Sequence, residues 1–308
     1  MRLLPFNLKT VEHYLLAANI QLDRKQIIEL YMVFGGVPFY LNFIEQGKSS
    51  VQNIHDICFK RNSQMSIEFF RVYRSLFEKY ENHTKIIKIL STKKTGLTRN
   101  EIIKKTGIPD GGGLTNILNE LIESGFIMCM SDRKKNKNGM LYRVLDEYSL
   151  FYMHWLEKLP SLTLNPVSEG YWMNIINTRK WNIWTGLAFE NICIKHIPQI
   201  KTALGIGAVN SKDYVWQMKG KTRRGTQIDL IIDRYDSCIN LCEIKFTNSE
   251  YAISYDYAKK LNYKKDVFIS ETKTRKTVFT TLITTYGAQR NQHYLNSVDV
   301  QLTMDIFF

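Results

Sequence analysis

The sequence predicts a mixed α+β protein: a helical N-terminal segment, a three-helix unit closed by a hairpin, and a C-terminal α/β domain of order αβββαβ. Three observations predict it. Apolar residues recur at helical spacing through residues 1–80. Residues 84–145 run through short amphipathic helices and glycine turns into two strand-like stretches around a polar loop. Apolar runs of strand length appear at 214–218, 227–233, 238–246 and 266–270.

Composition bounds the function. With 308 residues the chain is long enough for two or three domains. No apolar run approaches a membrane span and the start lacks a signal-peptide pattern, so no membrane association and a cytoplasmic setting are expected. The cysteines Cys58, Cys129, Cys193, Cys238 and Cys242 form no C-x-x-C pair, which supports neither a zinc site nor a disulfide framework. The formal net charge of +13 favours a polyanionic partner such as nucleic acid or an acidic surface.

In the first segment an amphipathic run begins at Lys25 and stops at Phe34-Gly35-Gly36-Val37-Pro38. The next apolar run is Phe39-Tyr40-Leu41. Phe69 to Tyr80 reads as a further helix. In the second segment Lys85 to Leu90 is a helix, and Leu97 to Ile103 starts another. Thr98 is its N-cap and Glu101 stands three residues on, a capping-box spacing. Leu114 to Ser124 is the third helix, closed by Gly125. Phe126 to Met130 and Met140 to Val144 then read as a hairpin. That order is a winged helix-turn-helix, with Lys134, Lys135 and Lys137 charging the wing. Its third helix offers Thr115, Asn116, Asn119 and Glu120 but no lysine or arginine.

Tyr148 to Trp155 reads as a dense apolar helix, and Pro160 and Pro166 bracket a linker. Trp181 to His196 is a long helix. A helix near 250–262 separates the last two strand runs, giving an α/β domain. The expected domains are 1–83, 84–160 and 161–308.

Three carboxylates stand in apolar settings. Glu190 comes three residues after Leu187 and four before Ile194, inside the buried stripe of its helix. Asp229 is flanked by Ile228 and Leu230-Ile231-Ile232. Glu243 and Lys245 alternate with Cys242, Ile244 and Phe246, and so share one strand face. Gln227 shares a face with Asp229. Spacing alone leaves open three unrelated structural acids, with Glu243 and Lys245 as a same-face ion pair. The metal reading uses the same residues. Magnesium (Mg2+), or manganese (Mn2+), takes oxygen ligands from one or two carboxylates, which Asp229 and Glu243 supply. Such a metal lowers the pKa of a bound water and polarises a phosphate. Lys245 would orient that water or stabilise developing charge, and Glu190 would hold a second metal or a metal-bound water. Lys219, Lys221, Arg223 and Arg224, just upstream, suit phosphate-backbone contacts.

Glu190 on a helix, Asp229 on a strand and Glu243-x-Lys245 on the next resemble the PD-(D/E)XK nuclease superfamily. More closely, Gly186-Leu187-Ala188-Phe189-Glu190-Asn191, Gln227-Ile228-Asp229-Leu230-Ile231 and Cys242-Glu243-Ile244-Lys245-Phe246 resemble the nuclease-like C-terminal domain of archaeal-type P-loop ATPases. Tyr31-x-x-Phe34-Gly35-Gly36-Val37-Pro38-x-Tyr40-Leu41 is similar to the helical lid segment that follows the ATPase core in that family. The unit at 84–145 occupies the place of its winged helix. The resemblance covers essentially the whole chain. It implies a nuclease-like domain behind a nucleic-acid-binding unit, with DNA as the main partner and RNA as the alternative. The ATPase core itself has no counterpart. Gly47-Lys48-Ser49 lacks the earlier glycine of a phosphate loop, Asn42 standing there, and reads as a helix-end turn. No ATPase activity is therefore expected. The alternative function is a non-enzymatic DNA- or protein-binding regulatory module, paired with an ATPase encoded elsewhere or with a second copy of itself.

Overall fold

The computed structural model describes residues 4–61, 63, 65–131, 140–159, 167–168, 170–218 and 225–308. These form a mixed α and β architecture carrying a sheet of three strands and a sheet of five. They group into two units, one running to Ala188 and the other spanning Phe189–Phe308.

The first unit opens with helices α1 (Leu8–Ala17), α2 (Arg24–Phe34), α3 (Pro38–Leu41), α4 (Ser50–Phe59), α5 (Met65–Leu76) and α6 (Tyr80–Ser91). Asn7, Asp23 and Ser49 start α1, α2 and α4, each accepting a backbone N–H in the first turn. Gly47-Lys48-Ser49 is thus a turn that opens a helix; it does not close one. The helix expected over Phe69 to Tyr80 divides in two, because Lys79 leaves helical geometry at φ −114° and ψ 61°. At the double glycine, Gly35 adopts φ 59° and ends α2. Gly36 carries the tighter constraint. Its carbonyl accepts the Phe6 N–H at 2.7 Å, and a Cβ on it would lie 1.9 Å from the Phe6 carbonyl oxygen.

Strand β1 (Leu97–Thr98), helices α7 (Arg99–Thr106) and α8 (Gly112–Glu123), and strands β2 (Ile127–Ser131) and β3 (Met140–Val144) follow. The sheet order is β1-β3-β2, and β1 runs antiparallel to β3 with Leu97 opposite Tyr142. The expected N-cap at Thr98 put Leu97 just ahead of the helix, and no strand was expected there. Thr98 is an extended N-cap, so the residue before it is free to pair as a strand. The capping box forms: Thr98 N donates to Glu101 Oε2 at 2.8 Å, and Glu101 N donates to Thr98 Oγ1 at 3.3 Å. Leu114, Leu118 and Leu121 bury the inner face of α8. Thr115, Asn116, Asn119 and Glu120 are exposed.

Helix α9 (Glu147–Phe151) continues into a π-helical stretch, Tyr152–Leu156, and α10 (Tyr171–Ile175) leads to α11 (Arg179–Lys195). Helix α2, buried from Ile27 to Phe34, packs on α9. Aromatic rings fill the space behind: Phe59 stacks on Trp172 at 4.8 Å, and Trp155, Trp181 and Trp184 close around them.

The second unit takes the last turns of α11, then α12 (Ile197–Ala203), β4 (Ser211–Met218), β5 (Thr226–Arg234), β6 (Cys238–Lys245), α13 (Tyr255–Thr272), β7 (Thr277–Thr284), α14 (Gln292–Leu295) and β8 (Val300–Thr303). The sheet order is β4-β5-β6-β7-β8. The first two pairings are antiparallel and the last two parallel. One expectation is overturned. Residues 266–270 were expected to be a strand, and they form the end of α13. Ala258, Leu261, Lys264, Val267 and Phe268 are buried at helical spacing, so packing against the sheet overrides the β-prone local run. Val267 and Phe268 pack with Trp216, Ile231, Ile239 and Leu241. The fourth strand lies later, at β7.

Gly36→Ala should lower the stability of the first unit by about 3 kcal/mol or more, because backbone must move to admit the methyl group. Urea unfolding followed by circular dichroism measures it. A variant within experimental error of the parent would contradict the close approach of Phe6 and Gly36.

Candidate functional site

The face of the second sheet that α13 covers changes character along its length. Ile231 on β5 and Ile239 and Leu241 on β6 meet Val267 and Phe268. Two residues further along each strand, the same face carries Asp229 and Glu243, because the period is two. The antiparallel register, Ile231 opposite Leu241 and Leu230 opposite Cys242, continues to set Asp229 beside Glu243. Helix α13 changes in step. Toward its C-terminus it buries Val267 and Phe268, and its first and middle turns carry Tyr257, Lys260 and Lys264.

Glu243 is the centre of the cluster and only 4% exposed. Its Oε1 accepts the Tyr257 hydroxyl and lies 3.1 Å from Lys245 Nζ. Its Oε2 accepts Lys264 Nζ. Burial opposes the charge of Glu243, but Lys264 and Lys245 more than offset that and hold the carboxyl at about 2. Burial and the neighbouring carboxylate push the Tyr257 hydroxyl well above its ordinary value, so it remains a donor. Burial draws Lys245 down, yet Glu243 and Asp229 leave its ammonium above its ordinary value. Asp229 Oδ2 accepts the Ile244 N–H at 3.1 Å, linking β5 to β6 beyond the last paired residues.

Glu190 is buried on α11. Burial, and then the charges of Glu190 and Asp229, push the buried Cys193 thiol up. Gln227 is half-buried opposite Gln217 on β4 and makes no side-chain hydrogen bond to the carboxylates among the described residues. Lys219, Lys221, Arg223 and Arg224 of the upstream loop lie outside the described residues, as do Lys134, Lys135 and Lys137 of the wing.

Tyr257, Lys260 and Lys264 were missed from the sequence. A signal existed: Lys264 interrupts the apolar stripe of Ala258, Leu261 and Phe268 just as Glu190 interrupts its own. The expected helix ended at 262, so Lys264 fell between elements.

Carboxylate oxygens on neighbouring strands are the donor type that magnesium takes. Among the described residues, however, no three histidine, cysteine or acidic side chains are arranged to hold a metal ion. In this geometry the charge of Glu243 is met by lysines. Also among the described residues, no helix is long and apolar enough to cross a membrane. Compared with family models, with curated proteins and with solved structures, the chain matches none.

Lys264→Met should destabilise the protein by about 3–5 kcal/mol, since it leaves a buried carboxylate short of its partner. Adding Glu243→Gln should recover most of the loss; a double variant as unstable as the single one would refute the pairing. The pH dependence has a definite sign. The folded carboxyl of Glu243 lies below its unfolded value, so the unfolded state binds more protons. Its contribution is complete at neutral pH and is lost as pH falls from roughly 4.3 through about 2. Acid titration of unfolding free energy should be flatter over that window in Glu243→Gln.

Proposed function

We propose that this chain is a nuclease-like protein that hydrolyses phosphodiester bonds in DNA, with RNA as the alternative substrate, and uses magnesium or manganese. One observation carries the reading: Asp229 and Glu243 lie side by side on one sheet face, with Lys245 3.1 Å from Glu243. The α-β-β-β-α-β order of the second unit and the sequence resemblance to the PD-(D/E)XK superfamily support it. The first unit, with three short helices and a small sheet at 80–144, fits a winged helix that binds nucleic acid.

Within this reading Asp229 and Glu243 would supply the oxygens for the metal, and Glu190 would hold a second metal or a metal-bound water. The bound metal supplies a more acidic water and a polarised phosphate. Lys245 stays protonated beside the carboxylates, as a group that stabilises developing negative charge must. Tyr257 fixes the rotamer of Glu243 through its hydroxyl. Glu243 opens to another cation only where Lys264 gives up Oε2.

That last contact favours a second reading, a non-enzymatic binding module working with an ATPase carried on another chain. A Glu243 already neutralised by lysines is stable as a structural acid. Glu120 on α8 is likewise engaged internally, 2.7 Å from His83.

Cleavage of single- and double-stranded DNA and RNA with magnesium or manganese separates the readings. Asp229→Asn, which keeps an acceptor for the Ile244 N–H, should lose cleavage at least about a hundredfold, the scale of one essential electrostatic group. Undiminished cleavage would remove the site assignment. Salt-sensitive DNA binding with neither cleavage nor metal binding would establish the module instead.

A further inference from the structure

Most lysines around the acid cluster have an assigned neighbour. Lys264 and Lys245 hold Glu243. Lys265 pairs with Asp299 at 3.2 Å. Lys259 lies over the Tyr255 ring, 4.2 Å from its centroid. Lys260 differs. It is exposed, and no carboxylate lies within ion-pair distance of it among the described residues. Its ammonium stands 5.6 Å from the centroid of the Tyr257 ring, the ring whose hydroxyl donates to Glu243. Lys245 stands 5.4 Å from the centroid of the same ring. Two cations therefore share one aromatic ring at the edge of the acid cluster.

Among the described residues, the charges acting on Lys260 come from its own helix and from β5 and β6. On its own helix Lys264 opposes it. From β6, Lys245 opposes it and Glu243 attracts it, and from β5 Asp229 attracts it. Partial desolvation at the edge of the cluster, followed by the repulsion of the two lysines, outweighs the acids and draws the ammonium below its ordinary value. An exposed cation held near two others, with no acid of its own, is completed by an anion from solution. Lysine is a compact point charge on a flexible stem, which suits a phosphate oxygen better than a shaped pocket.

We propose that Lys260 is a substrate-contacting residue of this site, binding a backbone phosphate of the nucleic-acid strand next to the one held at Lys245. The proposal rests on the nuclease-like reading and extends it: α13 would be the second wall of the strand-binding groove, and Tyr257 the ring shared by the two phosphate-binding lysines. The contact reads phosphate and no base, so it should be blind to sequence.

The test measures binding by fluorescence anisotropy of a labelled single-stranded oligonucleotide and a labelled duplex, in chelator, over a series of salt concentrations. Chelator removes cleavage from the readout. Lys260→Ala should weaken binding similarly for unrelated sequences and reduce the slope of log affinity against log salt by about 1. Lys260→Arg should restore both. Lys259→Ala, one residue away and turned to Tyr255, should leave the slope unchanged. Thermal melts of all three variants should match the parent, since neither lysine is buried. If Lys260→Ala binds like the parent, or loses no more than Lys259→Ala, the proposal is wrong while cleavage and Asp229→Asn still stand for the nuclease reading. If the parent binds neither oligonucleotide at low salt, the proposal is wrong, and cleavage with Asp229→Asn decides the nuclease reading separately.

Discussion

The second unit depends on one constraint: the carboxylate of Glu243, buried beneath α13, must be met by cations and donors from that helix. Lys264 and Tyr257 meet it from α13 and Lys245 from its own strand. An unpaired charge at that depth would cost several kcal/mol. The pairing therefore fixes the register of α13 along the sheet. With Lys264 at Glu243, the next turns of the helix carry Val267 and Phe268 onto the apolar end of the same face. Polar and apolar halves of helix and sheet are matched by one alignment. A slip of one helical turn would bury a second charge and expose an aromatic ring.

The same constraint explains how closely structural and functional readings overlap here. The contacts that stabilise Glu243 are the ones a nuclease-like site would reuse or displace. Tyr257 sets its rotamer, Lys245 lies beside it, and Lys264 holds its other oxygen. Asp229 likewise spends one oxygen on the Ile244 N–H, closing the β5–β6 ladder where backbone pairing ends. Acids that hold strands together and acids that hold a reacting group call for the same residues in the same places. Only chemistry on a substrate tells the two apart.

Much of this was legible in the sequence, for identifiable reasons. Period-two alternation put Glu243 and Lys245 on one face, and their contact at 3.1 Å follows from it. Thr98 and Glu101 announced their cap by spacing, and Gly35-Gly36 announced the end of α2. What failed was the boundary of α13. Asp266 to Ser270 is locally β-prone, and only the sheet beneath it makes the helical period the lower-energy choice. That one misplacement hid Lys264 and with it the partner of Glu243. The pairing of Leu97 with Tyr142 was equally invisible, because it joins residues 45 apart through backbone alone.

The aromatic residues have an optical consequence. Trp155, Trp172, Trp181 and Trp184 lie in one cluster of the first unit. The remaining tryptophan, Trp216, belongs to the second unit and meets Phe268 of α13 edge-on, with ring centroids 5.4 Å apart. Its indole rests against the same helix that brings Lys264 to Glu243. In a chain with the other four tryptophans replaced by phenylalanine, the emission of Trp216 alone would report whether α13 is seated. Loss of the Lys264–Glu243 contact through detachment of that helix would then register as a red shift, read without any added dye or ligand.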